Sequence, residues 1–199
     1  MLFNILTLAA LASALPTAEM EPANVHWEAP GYGEAFGIAA TGKGIINASL
    51  RAVGGALFVG GEQPEVTCED GEHPDFATFV WYTEKSLFLY GGNPYQQVKV
   101  DNSGEGQGVT FYTTGDQEVV PAADGPFEID SQSRVLTFGS TGAKACPTGV
   151  MVDQAEIKEV HRIWFTDLEE PAFNEGCVDV ELLAYKTDAK PRCNYSPSP

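Results

Sequence analysis

The stretch TFVWYTEKSLFLY, residues 78–90, is the most informative part of the sequence for the fold. Two short runs rich in aromatic and branched side chains flank the polar triplet 83–85, a pattern typical of a β-hairpin. The segment 177–185 alternates apolar and acidic residues, which predicts a strand with one buried and one solvated face. Only 151–162 could be helical, and the spacing of its apolar residues fits neither the period of a helix nor that of a strand well. We therefore expect an all-β protein.

Further hairpins and an internal echo indicate how the strands are arranged. The runs 97–100 and 109–112 form one candidate pair of strands, and 127–130 with 135–138 form another. The second of these repeats the 78–90 hairpin at a constant offset of about 48 residues, and a fainter copy begins at Leu57. Repeated hairpins favour a compact β-trefoil-like barrel of short hairpins, with a β-sandwich as the alternative.

Composition excludes several classes of partner. The chain has 199 residues and a formal charge of −17, from 28 acidic and 11 basic side chains. Such a balance argues against nucleic-acid binding, which needs clustered Lys and Arg, and against a polybasic membrane-surface protein. A hydrophobic fraction of 43% is enough to build one core.

The two ends of the sequence predict export. Residues 1–14 are apolar, too short to span a bilayer, and end in Ala12-Ser13-Ala14, so we expect a signal peptide. Residues 15–34 are rich in Pro, Glu and Gly and predict a flexible N-terminal leader. We expect a single all-β domain over 35–195 and a disordered tail over 196–199, with no membrane anchor because the C-terminus is not hydrophobic.

The cysteines fit an extracellular protein. They are an even set without a CxxC motif, which predicts disulfides rather than a zinc or redox site: Cys68, Cys146, Cys177 and Cys193. Four cysteines can pair in three ways, and sequence does not choose among them. The expectation favoured here is Cys68 with Cys146 and Cys177 with Cys193.

Two sequons are candidate N-glycosylation sites. They are Asn47-Ala48-Ser49 and Asn194-Tyr195-Ser196, and Pro197 makes the second the poorer acceptor.

No motif for catalysis or for a cofactor emerges. A nucleophile elbow is missing from the sequence, and His26, His73 and His161 are too scattered for a zinc site. The glycine-rich run 104–108 lacks the lysine of a phosphate loop, and 101–105 does not complete a calcium loop, so a tight turn is the better interpretation. We expect no enzyme, no metal and no cofactor.

An acidic cluster near Trp164 is the one candidate for glycoside hydrolysis, which needs two carboxylates across a sugar cleft. It consists of Asp167, Glu169, Glu170 and Glu175. In so acidic a chain, a solvated loop explains this cluster better. Several aromatic residues are candidates for stacking against sugars in a carbohydrate-binding module or a secreted effector: Trp27, Tyr32, Tyr95, Trp164 and Phe173.

The run VDNSGEGQG at 100–108, followed by YTTG at 112–115, resembles the PhiA cell wall protein family of filamentous fungi. Further segments occur in the order of that family: 36–40, 86–90, 129–132, 145–147, 174–177 and 193–195. The resemblance implies a secreted, extracellular cell wall protein with a structural role in phialide and conidium development and in stress tolerance. It implies no catalytic residue, and it implies cell wall polysaccharide or other wall proteins as partners.

Overall fold

The computed structural model describes residues 28–119, 121–152, 159–187 and 190–197. Within them lie fourteen strands and a short 3-10 turn at Pro171–Phe173. The strands are β1 (Ala35–Gly42), β2 (Ile45–Val53), β3 (Ala56–Val59), β4 (Thr67–Cys68), β5 (Thr78–Trp81), β6 (Leu87–Leu89), β7 (Gln96–Asp101), β8 (Val109–Thr114), β9 (Phe127–Ile129), β10 (Leu136–Phe138), β11 (Ala143–Met151), β12 (Glu159–Phe165), β13 (Val178–Lys186) and β14 (Cys193–Asn194).

Ten of these strands form one antiparallel sheet in the order β11-β13-β1-β2-β3-β12-β8-β7-β6-β5. Additional pairings of β1 with β5, and of β11 with β12, close it into a barrel. Closure leaves few free sheet edges for other chains to pair with. The all-β class and the barrel are confirmed, as are the hairpins predicted around 78–90, 97–112 and 127–138.

The longest strand ladder joins the first and last strands of the barrel. β1 pairs with β13 from Phe36 opposite Lys186 to Gly42 opposite Val180. The alternation predicted for 177–185 is confirmed, because Val180, Leu182 and Ala184 of β13 are buried. Apolar side chains from both strands therefore enter the same core.

The two copies of the echo lie in different sheets. The β5–β6 hairpin belongs to the barrel sheet, whereas β9 and β10 form a separate two-stranded sheet. That second hairpin packs inward through Phe127, whose ring lies 5.1 Å from Phe138 and 5.7 Å from Phe165. The echo thus repeats a hairpin pattern and not a position in the barrel.

Strands occupy both ends of the segment 151–162, the candidate helix. β11 runs to Met151 and β12 begins at Glu159, so a helix over the whole segment is wrong. Residues 153–158 lie outside the described part of the chain. No helix among the described residues is long and apolar enough to cross a bilayer.

The last described segment, 190–197, is built into the fold. The side chain of Gln96 binds both backbone groups of Tyr195: its Nε2 donates to the carbonyl at 2.9 Å and its Oε1 accepts from the amide at 2.8 Å. The Tyr112 hydroxyl donates to the carbonyl oxygen of Ser196, which is itself buried. Ser196, expected in the tail, therefore belongs to the packed structure, while 198–199 lie outside the described residues.

Residues 28–34, the described end of the expected leader, contact the barrel. The Gly33 amide donates to the Trp81 carbonyl at 2.7 Å, and the Tyr32 ring lies 4.2 Å from that of Trp81. Lys186 of β13 pairs with Glu34 at 3.1 Å. The expected signal peptide, 1–14, and residues 15–27 of the expected leader lie outside the described residues.

Candidate functional site

The disulfides join Cys68 to Cys193 and Cys146 to Cys177. The expected pairing of Cys68 with Cys146 and of Cys177 with Cys193 is therefore wrong. β14 returns from the C-terminus to pair with β4, which places Cys193 directly opposite Cys68. β11 and β13 pair up to Ala145 opposite Val178, so the next residues along this ladder are Cys146 and Cys177. Strand pairing, which brings distant segments together, determines both bonds.

The two sequons differ in their surroundings. Asn47 is exposed on β2, and its sequon hydroxyl, that of Ser49, is 3.5 Å from the hydroxyl of Tyr185. Asn194 is exposed on β14, but Ser196 of its sequon is buried and its Oγ accepts from the Gly54 amide at 2.9 Å. Of the two, the Asn47 sequon is the more accessible in the folded protein.

A polar cleft of about 720 Å³ lies beside Asn47. Gln63 shapes its wall: its Nε2 donates to the carbonyls of Pro74 and Phe76, and its Oε1 accepts from the Ala52 amide. These bonds hold the loop that follows β3 against β2 and against the segment that leads into β5.

Arg51 is the central charge of this cleft. It is half-buried, and its Nε finds no hydrogen-bond partner among the described residues. Burial lowers the pKa of the Arg51 guanidinium. The nearby carboxylates of Asp75 and Glu62 act in the opposite direction and raise it. A half-buried donor in a cleft that also contains two carboxylates is suited to a polar, hydroxyl-rich ligand.

The acidic segment gives no enclosed carboxylate pair. Asp167, Glu169, Glu170 and Glu175 are all exposed, whereas Trp164 is buried on β12. Glycoside hydrolysis needs two carboxylates that flank a sugar cleft, and these exposed side chains do not enclose one. The interpretation as a solvated acidic loop fits these positions.

The glycine-rich run is a tight turn between β7 and β8. The Asp101 carboxylate accepts from the Ser103 amide at 3.0 Å, and the Ser103 hydroxyl accepts from the Gly106 amide at 3.0 Å. One carboxylate oxygen of Asp101 and the hydroxyl of Ser103 are thus used within the turn itself. Among the described residues, no three His, Cys, Asp or Glu side chains surround a potential metal position.

The two described histidines are hydrogen-bonded to backbone carbonyl oxygens. His73 Nδ1 lies 3.1 Å from the carbonyl of Val66, and His161 Nδ1 lies 2.8 Å from that of Glu159. His26 lies outside the described residues.

The aromatic candidates are dispersed. Trp27 lies outside the described residues, Trp164 is buried, Tyr32 stacks on Trp81, and Phe173 stands alone with 94% of its surface exposed. Tyr95, by contrast, joins a row with Phe88 and Tyr82, which we name the aromatic row.

Two members of the aromatic row were not among the sequence candidates. Tyr82 and Tyr95 are thirteen positions apart in the sequence, and only the adjacency of β5, β6 and β7 brings their rings to Phe88. The hairpin pattern at 78–90 was the signal that could have placed Tyr82 beside Phe88.

Comparisons with known proteins agree with the family resemblance. A family model described as PhiA-like secreted protein matches residues 36–196. A protein named "Cell wall protein phiA" from Emericella nidulans is 33% identical over 178 residues, covering 84% of this chain and 90% of that relative. Relatives of the same name from Aspergillus niger and Aspergillus fumigatus are 28% and 29% identical over 198 residues, with coverage of 97% and 96% of both chains. No solved structure matches the chain.

The family match covers the barrel and both disulfides. Secretion and location in the fungal cell wall, expected from the sequence, are confirmed by the family description and by the names of the relatives. The chain belongs to the PhiA-like secreted protein family.

Proposed function

We propose that this protein is a non-catalytic structural component of the fungal cell wall, acting in the development of phialides and conidia and in stress tolerance. The observation that carries the proposal is the match to wall proteins named phiA over most of the chain. The closed barrel, two disulfides and exposed acidic surface are suited to an extracellular matrix, where stability and low self-association matter.

We further propose that 1–14 is removed on export, and that 15–34 leads into one domain ending near 195. N-glycosylation at Asn47 is part of the proposal, because its sequon is exposed on the surface of β2. Wall polysaccharide and other wall proteins are the proposed partners.

Deletion of the gene with complementation tests the developmental role. A deletion strain is expected to form fewer phialides and conidia, above all under wall or oxidative stress, and the native gene is expected to restore them. A tagged copy is expected in the wall fraction. Normal spore formation under several stresses, or tagged protein retained in the cytosol, would contradict the proposal.

A second candidate function is carbohydrate binding, either as a binding module or as a secreted effector. The aromatic row and the polar cleft at Arg51 favour it, since ring faces and clustered polar groups are what sugars contact. Glycoside hydrolysis, the remaining alternative, has no comparable support, because the carboxylates considered for it are exposed.

A further inference from the structure

The aromatic row runs across three neighbouring strands. Tyr82 directly follows β5, Phe88 is the middle residue of β6, and Tyr95 directly precedes β7. The Phe88 ring centroid lies 5.4 Å from that of Tyr82 and 5.8 Å from that of Tyr95. Both tyrosines are 44% exposed, so two aromatic surfaces face solvent on either side of a half-buried phenylalanine.

Local bonds hold the backbone of Tyr82 and the side chain of Tyr95 in place before any ligand arrives. The Tyr82 amide donates to the carbonyl of Ser86 at 3.1 Å, and its carbonyl accepts from the Lys85 amide at 2.9 Å. The Tyr95 hydroxyl donates to Asp116 Oδ1 at 2.6 Å. The hydrogen-bonded ring of Tyr95 loses little conformational entropy on binding, which favours affinity.

Negative charge is concentrated at the Tyr95 end of the row. The hydrogen bond to Asp116 raises the pKa of Tyr95, and the charges of Asp116 and Asp124 add to that effect. Lys99 pairs with Asp124 at 3.0 Å, whereas Asp116 forms no ion pair among the described residues. One carboxylate beside the row therefore lacks a cationic partner.

We propose that the aromatic row binds a chain of β-linked amino sugars with free amines, as in deacetylated chitin. The C–H faces of the sugar rings stack on Tyr82 and Tyr95, and a sugar ammonium pairs with Asp116. Aromatic faces also attract ammonium groups directly, and the net charge of −17 favours the approach of a cationic polymer. This inference rests on the wall role proposed above and names a polysaccharide partner for it.

Charge distinguishes this polymer from the other components of a wall. A neutral glucan would stack on the rings and donate hydroxyl hydrogen bonds to Asp116 but would leave its charge unpaired, and an anionic polymer would be repelled by the protein as a whole. Cationic amino sugars are the class that both stacks on the rings and neutralises the carboxylate.

The test is retention of the full secreted protein on insoluble chitosan, chitin and β-1,3-glucan. Binding is measured at about pH 5.5, where sugar amines are protonated and carboxylates ionised, at low salt and at about 1 M salt, where screening is strong. The variants are Tyr82→Ala, Tyr95→Phe and Asp116→Asn. The matched controls are Phe173→Ala, which removes an exposed ring elsewhere, and Glu175→Gln, which neutralises a distant exposed carboxylate.

We expect tight retention on chitosan that survives high salt in part. Tyr82→Ala is expected to weaken it about tenfold and Asp116→Asn about threefold, with both controls unchanged. Tyr95→Phe keeps the ring but loses its bond to Asp116, so it is expected to weaken retention less than Tyr82→Ala does. Thermal unfolding of each variant verifies that its fold is intact.

Equal retention of all variants would overturn the inference, because it would show adsorption by net charge alone. Stronger binding to chitin or glucan than to chitosan would overturn the choice of polymer, and no binding of the native protein would overturn the site. None of these results alters the wall location of a tagged protein or the deletion phenotype, so the two proposals can fail separately.

Discussion

Cys193 lies directly opposite Cys68 in the β4–β14 ladder, so the same two residues are joined by strand pairing and by a disulfide. They are 125 positions apart in sequence, against 31 for Cys146 and Cys177. The bond therefore ties the C-terminal segment to β4, which precedes most of the barrel strands in the sequence.

Loss of the Cys68–Cys193 disulfide should lower the free energy of unfolding more than loss of the Cys146–Cys177 disulfide. Chain-entropy arguments give about 5 kcal/mol for the long loop and about 4 kcal/mol for the short one. The measurement is the free energy of unfolding in urea for Cys68→Ala/Cys193→Ala and for Cys146→Ala/Cys177→Ala. A larger loss in the second double variant would contradict this order.

Gly91 should not tolerate a side chain, whereas its neighbour should. A Cβ at Gly91 would lie 2.1 Å from the carbonyl oxygen of Cys193, while at Gly92 the nearest atom is the side-chain oxygen of Asn194 at 3.4 Å. Gly91→Ala is expected to lower stability by about 1–3 kcal/mol, and Gly92→Ala to change it by less than about 1 kcal/mol. Thermal unfolding of the pair tests this, and equal melting temperatures would show that the backbone at Cys193 yields freely.

Alkaline pH should destabilise the barrel through Tyr112. Burial raises the pKa of Tyr112 to about 12 from an ordinary value of 10.0. The folded state therefore holds this proton more tightly than the unfolded state. The associated stability is complete below about pH 10 and is lost as the pH rises to about 12, a change of at most about 2–3 kcal/mol.

Urea unfolding at several pH values between about 8 and 12 measures this loss. Tyr112→Phe is the control. It lacks the bond to the Ser196 carbonyl, so we expect it to be less stable near neutrality. Its free energy of unfolding should, however, change less with pH above about pH 10. Burial also raises the pKa of Tyr195, which should leave a slope of the same sign in that variant. A slope in Tyr112→Phe as steep as in the native protein would assign the effect to other groups.

Glycan occupancy should be high at Asn47 and low at Asn194. The second sequon combines a following Pro197 with a hydroxyl that is bonded to the Gly54 amide in the fold. Mass spectrometry of peptides from the secreted protein measures both sites, and Asn47→Gln is expected to remove most of the glycan mass. Occupancy of Asn194 alone would be the contrary result.

Local patterns predicted the local structure of this protein well. The hairpin at 78–90 and the strand at 177–185 were predictable because alternation of apolar and polar residues is a property of a few adjacent positions. The closed barrel was within reach of the same reasoning, since many short hairpins need a common core.

Contacts between distant segments were not predictable in the same way. The pairing of Cys68 with Cys193 depends on where β14 returns, and no pattern near either cysteine encodes that return. The aromatic row depends on the neighbouring positions of β5, β6 and β7, so Tyr95 was found without Tyr82 or Phe88. The sequon at Asn47 was visible in the sequence, but the Arg51 cleft beside it was not.

The pairing of β1 with β13 has a consequence for biosynthesis. A chain that enters the secretory pathway from its N-terminus delivers β1 long before β13, so the barrel closes only after nearly all of the protein has been translocated. Until then Ile38 and Ala40 of β1, both buried in the finished barrel, lack their partners Ala184 and Leu182. A chain truncated before residue 178 would retain this exposed apolar strand and present it to chaperones and proteases as an incomplete molecule.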